Sequence, residues 1–191
     1  MIKDNLIICN PHTDVNYDRV CDNCKTELPI TDYIQKNIVE DIAEDNSKVK
    51  VSGNMLNNTV LKTSIINKND AVKLAKKYMP TLTSGDVLCA YDITMLSNSM
   101  EYQVGDFNQE VMVNISNLDL EINDTVAFLH IIDEETYEII PIDEIYENEI
   151  NFKATRFSPY ILIYVDTYTV TFNGNQNYKI FDTKGNKIIS G

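Results

Sequence analysis

Tryptophan is absent from this sequence, glycine occurs only six times in 191 residues, histidine twice and cysteine four times. Each scarcity removes a class of protein. Six glycines with none clustered provide no Gly-rich loop to cradle a phosphate, so nucleotide folds built on such a loop are excluded. Basic residues are also few: 16 Lys and Arg stand against 29 Asp and Glu, a net charge of −13. A surface so acidic repels nucleic acid and anionic membrane, and neither is expected as a partner. No apolar run approaches the roughly 18 residues that span a bilayer. The opening "MIKDNLIICN" is too short and too polar to be a secretory signal. No pair of carboxylates stands in a recognisable hydrolase context, and no catalytic or cofactor-binding residue is expected.

What is present is strand signal. "KVKVSG" and "TVLKTSII" flank the turn-forming "GNMLNN". They are followed by "DVLCAYDITML", "EYQV", "EVMVNISNL", "TVAFLHII", "YEIIPI", "INFKAT" and "YILIYV". These runs are short, β-branched or aromatic, and separated by Asn, Asp, Gly or Ser. Their number in so short a chain predicts a sandwich or barrel rather than a parallel α/β sheet. One helix interrupts at "DAVKLAKKYM", capped by Asn69 or Asp70, with Ala71, Leu74, Ala75 and Tyr78 on one face and Pro80 as its stop. The fold class expected is mainly β: an antiparallel β-sandwich with one short helix, plus a small N-terminal Cys/His-bearing segment. The boundaries expected are 1–28 for that segment, 29–48 for a linker, 49–165 for the sandwich and 166–191 for a strand-pair appendage or the start of a next module. Within the linker, Tyr33, Ile34, Ile38 and Ile42 have helical spacing. The appendage contains a strand pair joined at "DTKG", and no internal repeat is visible.

The N-terminal segment, "CNPHTDVNYDRVCDNC", gathers three of the four cysteines and one of the two histidines. Cys9-x2-His12 and Cys21-x2-Cys24 supply three thiolates and one imidazole, a set that tetrahedral zinc takes. Four protein ligands close the coordination sphere, so the zinc would be structural. Its binding would stabilise a segment too short to have its own core. Other readings stay open. A disulfide among Cys9, Cys21 and Cys24 leaves one thiol over, with Cys89 the only other candidate. Asp14, Asn16 and Asp18 sit at positions one, three and five of a calcium loop, but Arg19 replaces the sixth-position glycine and Lys25 the twelfth-position glutamate. A redox Cys-x-x-Cys lacks its usual helix and βαβ context.

The ordered pieces "VSGNMLNNTVL" (51–61), "CAYDITML" (89–96), "EYQV" (101–104), "EVMVNI" (110–115), "VAFLHIIDEETYEIIP" (126–141) and "INFKATRFSPYILI" (150–163) resemble a β-sandwich repeat module of cell-surface and secreted proteins of Gram-positive, clostridial-type anaerobes. The resemblance covers about 49–165, and the architecture it implies is distantly like the sandwich of ankyrins and netrin receptors. Cys9, His12, Asp14, Asn16, Asp18, Cys21, Asp22 and Cys24 resemble a short element of the same kind of surface protein, with Lys25 where that element has glycine. The start of the tail, "YTVTFNGNQ", is similar to the start of an internalin-type B repeat without its Gly-Gly. The resemblance implies an extracellular or cell-surface setting, in a piece of a longer exported protein. The function expected is that of a non-enzymatic structural or adhesive module, with an extracellular protein or glycan as its possible ligand.

A self-cleaving module is the alternative. Some relatives of this sandwich class cut their own backbone at a "His-Phe-Ser" step, and the matching residues here are Arg156, Phe157 and Ser158. An arginine cannot accept the proton. The plainer expectation is that Phe157 and Tyr160 pack in the core while Ser158 ends a turn. His130 is expected as a core or edge side chain with one hydrogen bond, a distant base for Ser158 at most, and Cys89 as a buried, inert thiol.

Overall fold

Alternation of apolar and polar side chains is what turns these runs into half-buried strands, and it holds along most of the chain. In the computed structural model the described residues are 14, 19–120, 125–142, 145–146, 148–165 and the backbone of 179–181 and 187–190. One antiparallel sheet has the order β1-β2-β6-β10-β9. Its strands are β1 (Ile34–Ile42), β2 (Lys48–Leu56), β6 (Val111–Ser116), β10 (Glu149–Ala154) and β9 (Ile145–Tyr146). The other has the order β3-β4-β11-β7-β8, with β5 (Met100–Glu101) added to β4. Its strands are β3 (Thr59–Ile65), β4 (Val87–Ser97), β11 (Pro159–Tyr164), β7 (Val126–Ile131) and β8 (Tyr137–Pro141). Every pairing in both sheets is antiparallel. The mainly β, two-sheet architecture expected from the sequence is present.

Between the sheets lies one apolar core. Val49, Val51, Val113, Ile115, Ile150 and Phe152 come from the first sheet; Tyr91, Ile93, Met95, Phe128, Tyr160 and Leu162 come from the second. Phe128 packs on Phe152 at 4.8 Å between ring centroids and meets Tyr160 edge-on at 5.7 Å. Helix α1 (Lys68–Ala75) covers part of the outer face of the second sheet, where Ala71, Val72 and Ala75 pack with Leu129, Ile161 and Ile163. The middle strands of that sheet, β7 and β11, are therefore buried on both faces. Their runs "VAFL" and "YILI" are continuously apolar for this reason rather than alternating. Gly53 lies directly opposite Val111 at φ +149°, and a Cβ there would come within 2.9 Å of the valine side chain.

Three local expectations change. Residues 34–42 are not helical: a short 3-10 turn at Ile30–Tyr33 leads into β1, which pairs with β2 over nine residue pairs. The sheet thus begins inside the stretch read as a linker. Ile38 and Ile42 face outward there, while Val39 and Asp41 turn in, and the Asp41 carboxylate accepts from the Thr63 N–H at 2.6 Å. "EYQV" is not a strand beyond Glu101; it leads into a 3-10 helix, Val104–Phe107. Helix α1 starts earlier than expected, capped by Asn67, whose side chain accepts from the Asp70 N–H. Its buried face is Ala71, Val72 and Ala75, with Leu74 outside, and it ends before Pro80 is reached. In the tail, β12 (Lys179–Phe181) pairs with β13 (Lys187–Ser190), the strand pair expected around "DTKG".

Candidate functional site

The β7–β8 hairpin places His130 directly opposite Glu138, and the β11–β7 pairing places Tyr160 directly opposite His130. Register alone therefore brings a base, a carboxylate and the residue two before Tyr160 to one end of the core. His130 Nδ1 lies 2.7 Å from Glu138 Oε1, and His130 Nε2 lies 2.8 Å from Ser158 Oγ. The imidazole is fully buried and stacks flat on the Tyr160 ring, with 4.0 Å between centroids and 1° between planes. The Tyr160 hydroxyl donates to the Arg156 carbonyl at 2.5 Å, closing the turn that presents Ser158. His130 is thus not a lone core histidine with one bond. Both ring nitrogens are engaged, and Ser158 is beside it rather than distant.

Ser158 has a second contact. Its Oγ lies 2.6 Å from the Ile131 carbonyl. The hydroxyl carries one hydrogen, so it serves one acceptor at a time. Directed at the carbonyl, it pins the turn to β7. Directed at Nε2, with Nδ1–H donated to Glu138, it completes a serine–histidine–carboxylate chain of the kind that activates hydroxyl nucleophiles. Burial holds the His130 imidazole below its usual value, opposed by the Glu138 carboxylate, so the neutral, proton-accepting form is favoured.

The peptide bond entering Ser158 is clamped from the other side. Gln103, which precedes the 3-10 helix, accepts from the Phe157 N–H at 2.5 Å and donates from Nε2 to the Phe157 carbonyl at 2.8 Å. Gly105 N–H donates to the Thr155 carbonyl at 2.7 Å and steadies the same loop. Phe157 is buried in the core, as expected. Arg156 points outward to Asp106 at 3.6 Å and takes no part in the chain.

Sequence reasoning weighed Ser158 and His130 as a pair and set them aside, and it did not reach Glu138 or Gln103. Glu138 was recoverable in principle: a hairpin turning at "DEET" puts residue 138 across from 130. Gln103 left no signal, because its role depends on a contact between loops far apart in sequence.

Of the zinc set, Cys9 and His12 lie outside the described residues, as do Asn16 and Asp18. Cys21 and Cys24 stand at the tip of a small hairpin. Val20 bridges Glu27, Cys21 N–H donates to the Thr26 carbonyl at 2.8 Å, and Lys25 N–H donates to the Cys21 carbonyl at 2.8 Å. Lys25 adopts φ +59°, the left-handed conformation that favours glycine, and the turn closes with a lysine there. Cys21 is buried and Cys24 partly so. The Asp14 carboxylate is occupied, accepting from the Arg19 N–H at 2.8 Å and the Tyr33 hydroxyl at 2.5 Å. Among the described residues, three or more potential metal ligands do not come together. Burial pushes the Cys89 thiol up to about 12, so it is protonated at neutral pH.

Compared with family models, curated proteins and solved structures, the chain matches none.

Proposed function

We propose that this sandwich is a self-processing module that cuts its own backbone between Phe157 and Ser158. The observation that supports it is the Glu138–His130–Ser158 chain beside a Phe157 carbonyl that already accepts a hydrogen bond from Gln103. Ser158 Oγ attacks the Phe157 carbonyl carbon while His130 Nε2 takes the hydroxyl proton. Charge develops on the carbonyl oxygen, where the Gln103 amide donates. The C–N bond breaks, His130 returns the proton to the departing Ser158 nitrogen, and Phe157 is left in an ester with the serine oxygen. Water then hydrolyses that ester, giving a carboxylate at Phe157 and a new amino terminus at Ser158. Glu138 holds the imidazole in the required tautomer and stabilises it when charged.

A second reading rests on the 2.6 Å contact from Ser158 to the Ile131 carbonyl. In it the hydroxyl only staples the turn, and the sandwich is an inert structural or adhesive unit. Both readings share one setting, a displayed module of an exported protein. Its supports are the sequence resemblance and the net charge of −13. A structural zinc on Cys9, His12, Cys21 and Cys24 belongs to the same proposal, supported by the ligand spacing and the hairpin that presents Cys21 and Cys24.

Intact-mass spectrometry of the purified chain during prolonged incubation separates the readings. Self-processing gives two fragments, ending at Phe157 and starting at Ser158, whose summed mass exceeds the 21.8 kDa chain by one water. Neutral hydroxylamine, which attacks esters, speeds the cut, and Ser158→Ala stays whole. A folded wild type that remains a single uncut species, with or without hydroxylamine, rejects the first reading and leaves the second.

A further inference from the structure

A strand at the edge of a sheet carries unpaired N–H and C=O groups that can template another strand. Among the described residues the sandwich sheets end on β1 and β9, and on β3 and β8. Three of these edges are guarded. β9 is two residues long, β8 ends at Pro141, which has no N–H to give, and on β3 the Thr63 N–H is taken by the Asp41 carboxylate. β1 differs: it runs for nine residues, Ile34–Ile42, without proline, glycine or a break in its register against β2.

The pairing with β2 decides which groups of β1 face the open edge. Beyond its two ends, the Asn57 N–H donates to the Tyr33 carbonyl and the Ala43 N–H to the Ser47 carbonyl. In an antiparallel ladder, residues that bond across alternate with residues that do not. The odd-numbered residues therefore bond β2, and Ile34, Lys36, Ile38, Glu40 and Ile42 turn their N–H and C=O groups to the edge. The Ile38 N–H agrees, since it donates to the neighbouring Asn37 Oδ1 at 2.8 Å. The same even-numbered set carries apolar side chains in the open, Ile38 59% and Ile42 65% exposed.

We infer that β1 pairs antiparallel with β1 of a second copy about a twofold axis at Ile38, joining two five-stranded sheets into one. The strand "IQKNIVEDI" is self-complementary in that register. Ile38 meets Ile38 of the other copy, Lys36 meets Glu40, and Ile34 meets Ile42. An axis at Asn37 or Val39 would instead set Ile38 against a charge, and an axis at Lys36 or Glu40 would set like charges together. Glu40 already holds Lys48 of its own chain at 2.7 Å, and a carboxylate accepts from more than one donor. Five facing pairs, each exchanging two bonds, give about ten hydrogen bonds, as many as an ordinary protein interface has. Because the other edges are guarded, the pairing closes at two copies rather than growing into a fibre. It is independent of self-processing and draws on no residue of the Ser158 turn.

Sedimentation velocity of the full chain, from micromolar to millimolar concentration, tests it. Physiological salt is needed, because it cuts the reach of the repulsion between two chains of net charge −13 to about 8 Å. The wild type is expected to pass from monomer to dimer. Ile38→Lys, which sets like charges at the axis, is expected to stay monomeric with an unchanged melting temperature. Lys36→Glu and Glu40→Lys should each self-associate about tenfold more weakly, while their equimolar mixture recovers the dimer, since every facing charge is again opposite. A wild type that stays monomeric throughout, a dimer that survives Ile38→Lys, or a mixture no tighter than either variant alone overturns the proposal.

Discussion

Replacing Gln103 separates what holds the Phe157–Ser158 turn from what reacts there. The amide makes two bonds to one peptide-flanked residue, 2.5 Å from the Phe157 N–H and 2.8 Å to its carbonyl. Gln103→Met keeps the volume and removes both. Leaving a buried backbone group unpaired costs about 1–3 kcal/mol. The loop is only partly buried and water replaces some of the loss, so the low end applies to each bond, about 2 kcal/mol together. For a chain of this length that lowers the melting temperature by roughly 4–8 °C. The measurement is thermal unfolding by circular dichroism in a Ser158→Ala background, where the chain stays whole. Cleavage, followed by intact mass with Ser158 present, is expected to slow by about 100- to 1,000-fold, the usual cost of one oxyanion donor. Gln103→Glu sharpens the test, because it still accepts from the N–H yet puts negative charge against the carbonyl oxygen. It should melt higher than Gln103→Met but cut no faster. An unchanged melting temperature in Gln103→Met refutes the clamp. A lowered melting temperature with an unchanged cutting rate refutes the oxyanion role alone.

Two further outcomes follow from the same structure. His130 has its protonation suppressed by burial in the fold, so the unfolded chain binds more protons as pH falls below about 6.5. Stability from this residue is complete above that value and is lost on acidification through it; urea midpoints of the wild type should therefore fall between pH 7 and 5 more than those of His130→Gln, and parallel curves would refute the assignment. At the N-terminus, purification without chelator should yield about one zinc per chain, and replacing Cys21 and Cys24 by serine should abolish it. A metal-free chain with Cys21 and Cys24 in a disulfide contradicts that.

The strands were legible where burial enforces a period of two. Tyr91, Ile93 and Met95 face inward and Asp92 and Thr94 outward, as the alternation of "AYDITM" implies. Residues 34–42 misled because a spacing of four fits both a helix turn and one side of a strand, and Ile34, Ile38 and Ile42 satisfy both. The outward placement of Ile38 and Ile42 goes against the usual burial rule, and nothing described here covers them. "EYQV" alternates like a strand, yet Gln103 is drawn away by the Phe157 backbone and the chain curls into a 3-10 turn. The serine and histidine could be named from the sequence. Their closeness could not, since it depends on the pairing of β11 with β7, strands separated by a hairpin and two strands of the opposite sheet.

The place of β11 in its sheet decides what a break before Ser158 would do. The strand runs between β4 and β7, and Ile161, Leu162 and Ile163 are wholly enclosed. Enclosing three such side chains contributes roughly 5–9 kcal/mol, before any ladder bonds. A nicked molecule would therefore stay in one piece in solution, its halves laced together like a closed zip. It would part only when tension or denaturant opened the sheet, which makes the joint a load-sensitive fastening rather than a point of release.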